Sequence, residues 1–320
     1  MFEVLETARK VAEESRLVRI DQQALPRFCR QLPANGIEVP PWEPRYHFYD
    51  STEKTVSYLL VLDSLNFCFW PAPGKKKWEI EYDSEKLSGY YALAASLKNA
   101  VERGIPITSA GYLSELSLND LKQILSGRGN LQLLEKRVKI LNELGRVLVE
   151  DFHGEAQSLV GAAGNSAIKL TRLLSDKLVS FRDVAEYKGN KVFFYKRAQI
   201  FAADLYGTFR GKDWGSFMDM AGLTAFADYK VPQVLRHLGI LHYDHLLAQR
   251  VDQGIFIEPG SPEEVEIRAG NIWAIELIRK ELALLGKDLK AFEIDWILWN
   301  LGQDSEFKVK PYHRTLTIFY

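Results

Sequence analysis

The sequence has little that would suit an extracellular, membrane or metal-dependent protein. Its 320 residues include two cysteines, Cys29 and Cys68, too few for a disulfide framework and without the paired spacing of a zinc site. His242 and His245 lie three residues apart, but no cysteine or second histidine pair completes a tetrahedral set. No apolar run reaches the roughly 18 residues of a membrane span, and the N-terminus is acidic where a signal peptide needs a basic flank. We therefore expect a cytoplasmic protein without metal or other cofactor.

An excess of basic residues is also missing. Lysine and arginine number 41 against 42 aspartates and glutamates, which gives a net charge of −1. A protein that holds a long phosphate backbone usually carries a clear basic excess, and the one basic run, at 75–77, suits a solvated turn. The charge balance favours a small-molecule substrate, with no direct nucleic-acid or membrane partner. It leaves the oligomeric state open.

Apolar periodicity predicts a mainly α-helical protein. Leucine and valine recur at steps of three and four over residues 134–148, which is typical of an amphipathic helix. Ser117 with Asp120, and Ser261 with Pro262, are helix-start signals. The glycine-rich stretch 161–166 lacks the lysine and hydroxyl residue of a phosphate loop, so we interpret it as a bend between helices.

A small β element is predicted near residues 56–82, and no other segment shows a convincing sheet signal. The stretch 56–70 is rich in apolar and aromatic residues, and 78–82 alternates polar with apolar residues. Since no repeat or obvious linker interrupts the chain, we predict a single domain over residues 1–320.

Carboxylates are the strongest candidates for chemistry, because no serine elbow or Cys–His signature stands out. Three of them lie in strongly apolar or aromatic surroundings: Asp63, Asp228 and Asp295. A buried carboxylate is costly unless it is paired or hydrogen-bonded. Asp63 suits a hydrogen-bonded turn or strand end, and Asp204 a structural pair with Arg197 or another base.

Asp228 is the leading candidate for catalysis. It precedes Pro232, a residue suited to a helix start, so we expect it in the connection before a helix. A carboxylate at a helix N-terminus is stabilised as the anion. That charge suits a role facing positive charge that develops during a reaction.

Long blocks over most of the chain carry a family resemblance. They are LDSLNFCFW at 62–70, GIPITSA at 104–110, YKRAQIFAADLY at 195–206, FADYKVPQVLRHLGIL at 226–241, EVEIRAGNIWAIELIR at 264–279, and DWILWN at 295–300 through PYHR at 311–314. In these blocks the chain resembles the queuosine salvage proteins, which are queuosine 5′-phosphate N-glycosylase/hydrolases. The segment 302–310, which includes Asp304, departs from the pattern.

The resemblance implies a mainly helical fold like that of helix–hairpin–helix DNA glycosylases. It also implies hydrolysis of queuosine 5′-monophosphate to queuine and ribose 5-phosphate. Cleavage of an N-glycoside develops oxocarbenium character at the sugar, and we assign Asp228 to that charge. Queuine is a 7-deazaguanine with no ring N7 to accept a proton, and we assign Asp295 to the guanine-like N–H groups of its edge.

Other side chains near these blocks are candidates for the remaining substrate contacts. Stacking on the base is assigned to Phe226, Trp299 and Trp296, and contacts to the base substituent or the ribose to His47 and Asn300. The phosphate is assigned to one or more of four basic side chains: Lys230, Lys196, Arg197 and His313. Lys230 ranks first because it is near Asp228 in sequence.

Two other functions stay open from the sequence. A DNA-repair glycosylase or lyase would use a lysine such as Lys230 to form a Schiff base, although the chain lacks a distributed basic stripe. A non-catalytic module would bind queuosine-modified tRNA or its nucleotide without turnover. Whether Asp228 forms a covalent sugar adduct or only stabilises the cation is also open.

Overall fold

A computed structural model describes residues 2–32, 38–40 and 42–320, and helices dominate them. The helices are α1 (Glu3–Glu14), α2 (Ala24–Gln31), α3 (Glu53–Ser64), α4 (Tyr90–Glu102), α5 (Ala110–Glu115), α6 (Leu118–Ile124), α7 (Leu134–Phe152), α8 (Ala156–Ala162), α9 (Ala167–Lys177), α10 (Lys196–Thr208), α11 (Lys230–His237), α12 (His245–Asp252), α13 (Pro262–Leu284) and α14 (Ala291–Leu301). The mainly α prediction is confirmed. The likeness to helix–hairpin–helix glycosylases stays a prediction.

Short antiparallel pairs of strands complete the fold. The strands are β1 (Val18–Ile20), β2 (Glu79–Tyr82), β3 (Glu85–Ser88), β4 (Val184–Tyr187), β5 (Asn190–Phe193) and β6 (Leu241–Tyr243). β2 pairs with β3 and β4 with β5, whereas β1 pairs with the distant β6. No helix in the described part of the chain is both long enough and apolar enough to cross a membrane.

The chain divides into two compact units, each built from several stretches of sequence. Unit 1 takes its described residues from 1–41, 183–199 and 219–317, and unit 2 from 42–182, 200–218 and 318–320. The boundary at residue 199 falls inside α10. The single domain over residues 1–320 stays a prediction.

Unit 1 is organised around α13, which packs against α1, α2, α11 and α14. The helix begins as predicted, with Pro262 in the first turn and the Ser261 side chain accepting from the Glu264 N–H. Leucine, isoleucine and valine side chains of α11 to α14 form its buried core. This core holds the N-terminus of α11 and the middle of α14 in fixed places.

In unit 2 the buried Arg137 of α7 ties the chain that follows α3 to the core. Its guanidinium donates to the carbonyls of Leu65 at 2.5 Å and Phe67 at 2.6 Å, and it lies 4.1 Å from the centroid of the Phe67 ring. The predicted helix over 134–148, the capping box of Ser117 and Asp120, and the bend within 161–166 are all confirmed.

The predicted β element is only partly right. Residues 53–64 form α3, capped by Thr52, whose hydroxyl accepts from the Lys54 N–H. Nearly all of this helix is buried, and a run that is apolar on every face has no periodicity to separate helix from strand. Asp63 therefore lies in a buried helix, whereas the prediction gave it a turn or strand end. The alternating stretch does form β2, but the two sheets that contain β1, β4, β5 and β6 were missed.

Candidate active site

Residues 223–228 form a buried segment without regular structure that leads into α11. Because no helix or sheet takes up its backbone polar groups, side chains must do so. The Phe226 N–H donates to Asp295 Oδ2 at 3.0 Å, and the Phe226 carbonyl accepts from Asn271 Nδ2 at 3.1 Å. Asp295 of α14 and Asn271 of α13 thus fix the segment on both sides of Phe226, whose own side chain is buried.

Asp228 lies in the connection that leads into α11, two residues before the helix begins at Lys230, as the sequence predicted. Its Oδ1 accepts from the Lys230 N–H at 2.9 Å and the Val231 N–H at 3.0 Å. These are donors at the N-terminus of a helix, where the backbone has no partners of its own and favours a negative charge. The carboxylate is buried and at the same time has a built-in stabiliser for its charge.

Asp295 lies in the middle of α14 and is close enough to Asp228 for the two charges to interact. Burial raises the pKa of Asp295 well above its usual range, and the charge of Asp228 raises it further. Burial also raises the pKa of Asp228, but Lys196 and the two N–H groups at the start of α11 act against it. The two carboxyls are thus unequal acids. Asp295 is the weaker acid of the two, and its contact with the N–H groups of the base stays a prediction.

Lys196, the first residue of α10, lies beside both carboxyls. Its charge lowers the pKa of Asp228 and of Asp295, and the residue is only 5% exposed. The sequence grouped Lys196 with the possible phosphate ligands and gave no signal for this place. The lysine is 32 and 99 residues from the two aspartates, so only the tertiary fold brings the three groups together.

An ion pair that the sequence interpretation missed lies next to this cluster. Arg268 Nη1 and Nη2 donate to the two carboxylate oxygens of Asp183 at 2.9 and 2.6 Å. Arg268 Nε donates to the Ala227 carbonyl at 3.0 Å, and Asp183 Oδ2 accepts from the Lys196 N–H at 3.2 Å. The guanidinium also covers the Phe194 ring, 3.9 Å from its centroid.

The side chain of Lys230 points to the C-terminal part of unit 1. Its Nζ donates to Gln233 Oε1 at 3.1 Å and lies 5.9 Å from the centroid of the Tyr312 ring. Gln233 Nε2 in turn donates to the Lys310 carbonyl at 2.6 Å. Lys230 therefore binds Asp228 through its backbone N–H, and its ammonium group lies near residues 310–312 while its charge also lowers the pKa of Asp228.

The other candidates for the phosphate are buried. Burial and the charge of Arg268 lower the pKa of His313 to about 3, so its imidazole is neutral near pH 7 and offers a hydrogen bond without charge. Arg197 follows Lys196 and is 2% exposed. Their contact with a phosphate stays a prediction.

The C-terminal half of α14 presents two tryptophans and an amide. Trp296 meets Phe292 edge-on, with ring centroids 5.1 Å apart, and its carbonyl accepts from Asn300 Nδ2 at 2.9 Å. Trp299 packs partly against the core of unit 1. Trp296, Trp299 and Asn300 are all half-buried. Each side chain packs against the protein and keeps part of its surface accessible to a ligand.

His47 belongs to unit 2, in a buried polar cluster of its own. Its Nδ1 lies 2.6 Å from the Glu43 carbonyl and its Nε2 3.0 Å from the Tyr90 hydroxyl, which donates to Asp204 Oδ2 at 3.4 Å. Burial lowers the pKa of His47 to about 4. Its contact with a substrate stays a prediction, as does the pairing of Asp204 with Arg197.

Two buried carboxyls of unequal acidity, with a lysine beside both, form a candidate acid–base hydrolytic site. Among the described residues, no group of three or more histidines, cysteines, aspartates or glutamates is placed to hold a metal ion. The family described as queuosine salvage protein matches residues 46–320, and the chain belongs to that family.

Relatives from distant organisms match the chain over nearly its whole length. A queuosine 5′-phosphate N-glycosylase/hydrolase of Sphaerobacter thermophilus is 48% identical over 317 residues, 99% of this chain and 97% of the relative. Proteins of the same name from Mus musculus and Dictyostelium discoideum are 37% and 38% identical over 330 residues each, which cover 98% and 99% of this chain and 98% of either relative.

Proposed function

We propose that this protein is an N-glycosyl hydrolase that cleaves queuosine 5′-monophosphate into queuine and ribose 5-phosphate. The observation that carries the proposal is the pair of unequal carboxyls, Asp228 and Asp295, in unit 1. The names of the relatives supply the substrate class. Breaking an N-glycosidic bond needs stabilisation of a cation and protonation of a leaving base, and the pair offers one group for each.

Asp228 acts on the sugar. As the bond breaks, its electron pair leaves with the base and positive charge develops at the anomeric carbon. A carboxylate that is already oriented by two backbone N–H groups stabilises that charge without reorganising. The water that adds to the anomeric carbon leaves a proton to the carboxyl pair, which restores the starting state.

Asp295 acts on the base. The departing deazapurine carries the electron pair of the broken bond and needs a proton to leave as neutral queuine. Burial and the charge of Asp228 raise the pKa of Asp295, which favours its protonated form, so we propose that it donates where an ordinary aspartate would only accept. Its Oδ2 is fixed by the Phe226 N–H, which leaves Oδ1 to carry the proton.

The remaining contacts follow from the places of the predicted residues. Trp296, Trp299 and Asn300 are proposed to contact the base or ribose, together with Phe226, and the substrate contact of His47 stays a prediction. Lys230, Arg197 and His313 are proposed for the phosphate; of these the neutral His313 can give only a hydrogen bond. The near-neutral net charge supports a free nucleotide as the substrate rather than a polynucleotide.

Cys29 and Cys68, both buried free thiols, support a cytoplasmic location.

Asp228→Asn is the decisive test. The amide keeps the size of the carboxyl and an acceptor for the α11 N–H groups, but it has no charge for the sugar cation. We expect queuine release to fall below detection while the affinity for queuosine 5′-monophosphate stays within about tenfold. Release is measured by chromatography of the free base and affinity by calorimetry.

Asp288→Asn is the matched control, since Asp288 is an exposed aspartate of the same unit, and it should turn over normally. Normal turnover by the Asp228 variant would refute the assignment. Stoichiometric binding without release by the unaltered protein would show a binding module. Borohydride trapping on abasic DNA would show a lyase that acts through a Schiff base.

A further inference from the structure

Arg268 and Asp183 are buried charges that the proposed reaction leaves without a task. Their side chains are 2% and 3% exposed. Replacing such an ion pair by apolar residues often leaves stability unchanged or improves it, so burial of the pair is weak evidence for a stabilising role. What the pair contacts outside itself is therefore informative.

Each partner of the pair holds a different backbone atom beside the carboxyl cluster. Arg268 Nε donates to the carbonyl of Ala227, the residue before Asp228, at 3.0 Å. Asp183 Oδ2 accepts from the backbone N–H of Lys196 at 3.2 Å. The bidentate bonds between the two side chains complete a chain of hydrogen bonds from the Ala227 carbonyl to the Lys196 N–H at the start of α10. We call this chain of bonds the link.

The link is also held firmly at its own ends. Asp183 is tied to the chain before α10, because its carbonyl accepts from the N–H groups of Phe194 and Tyr195. Arg268 lies on the long helix α13, pairs with Glu264 one turn earlier at 3.4 Å, and stacks on the Phe194 ring. A planar, bidentate guanidinium fixes direction as well as distance, which a lysine ammonium does not.

We infer that Arg268 is a positioning residue: through Asp183 it sets the separation of Lys196 from Asp228, and thereby favours the ionised form of Asp228. The inference rests on the proposed function, since it concerns the carboxylate to which the sugar chemistry is assigned. The charged groups that face Asp228 are Lys196, Lys230 and Asp295. Of the two lysines, Lys196 acts more strongly on the Asp228 charge.

Arg268→Lys tests the inference, because it keeps the positive charge opposite Asp183 and removes the bond to the Ala227 carbonyl. We expect kcat to fall at least about 10-fold, with the dissociation constant of queuosine 5′-monophosphate within about threefold. We also expect the acid limb of the kcat/KM profile to move up by about 0.5–1 pH unit, because the Asp228 carboxylate is no longer held in place relative to the Lys196 ammonium group. The melting temperature and folded fraction are measured on the same samples.

Arg279→Lys is the matched control. Arg279 lies on the same helix and makes its own bidentate bonds to Glu276, so this variant should keep the wild-type kcat and pH profile. A purely structural Arg268 would lower activity only in proportion to the folded fraction and leave the acid limb in place. That result, or a wild-type kcat in folded Arg268→Lys, overturns the inference.

A second variant covers the case in which Arg268→Lys does not fold. Asp183→Asn keeps the shape of the side chain but loses the charge and one acceptor, so it weakens the link from its other end. We expect the same loss of kcat with unchanged affinity, and a wild-type kcat in this variant overturns the inference. An inactive Asp228→Asn beside a normal Arg268→Lys would reject the positioning role alone, whereas an active Asp228→Asn would reject the proposed function.

Discussion

The charge of Lys196 lowers the pKa of both carboxyls in the candidate site, so its removal tests the separate roles proposed for Asp228 and Asp295. Lys196→Met keeps the length of the side chain and removes the charge. An opposite charge within about 4–6 Å lowers the pKa of a carboxyl by about 1–3 units. Without Lys196, the pKa of Asp228 should rise.

The sign of the effect on activity follows from the role proposed for Asp228. In that role Asp228 must be ionised to face the sugar cation, and a raised pKa means that it becomes protonated at a higher pH. We expect the acid limb of kcat/KM to move up by about 1–3 pH units, and activity below that limb to fall about tenfold per pH unit. Well above the limb, the variant should lose much less activity.

The assay measures queuine release over about pH 5 to 9, the range in which such a limb is visible. Lys191→Met is the control, because Lys191 is an exposed lysine of β5 in the same unit, and it should leave the profile unchanged. An acid limb that stays in place in Lys196→Met refutes the reasoning. A selective loss of activity on the nucleotide, with activity on the nucleoside unaffected, would instead show that Lys196 binds the phosphate.

Two further predictions concern the base side of the reaction and the packing of unit 2. Asp295→Asn keeps an acceptor for the Phe226 N–H but has no acidic proton, so kcat should fall about 10²–10⁴-fold and the basic limb of the kcat profile should vanish; a basic limb that persists would remove Asp295 as the acid. Gly145→Ala in α7 would drive a methyl group into the backbone of Ser114 and Ala110 and should lower the free energy of unfolding in urea by about 1–3 kcal/mol. Gly161→Ala in α8 meets no atom within 4 Å and should raise it by up to about 1 kcal/mol; equal effects of the two would refute the packing argument.

Local chemistry explains what the sequence could predict of the fold. Neighbours within one or two helical turns decide the capping at Ser117 and Ser261 and the apolar stripe over 134–148. The local sequence pattern is therefore enough to predict these features. Helix α3 is different, because burial on every face removes the period that distinguishes helix from strand. The pairing of β1 with β6 joins strands more than 200 residues apart, and strands of three residues carry too little pattern to be seen.

The candidate site shows the same division. Asp228 and Asp295 were predicted one at a time, each as a carboxylate in surroundings too apolar for an unpaired charge. Lys196 and Arg268 carried no such signal, because basic residues on a helix are ordinary unless their partners are known. Those partners lie 32 to 99 residues away, and only the packing of α10, α13 and α14 reveals them.

The difference between the two carboxyls has a cause that burial does not supply, since both are buried. Asp228 accepts two N–H groups at a helix N-terminus, whereas Asp295 has one backbone donor and sits within a helix. The charge of Asp228 raises the pKa of Asp295 further. The roles proposed for the two carboxyls are therefore not interchangeable. An exchange of donors, rather than of side-chain types, would be needed to reverse them, and this is why the irregular segment 223–228 is as much a part of the site as the carboxyls themselves.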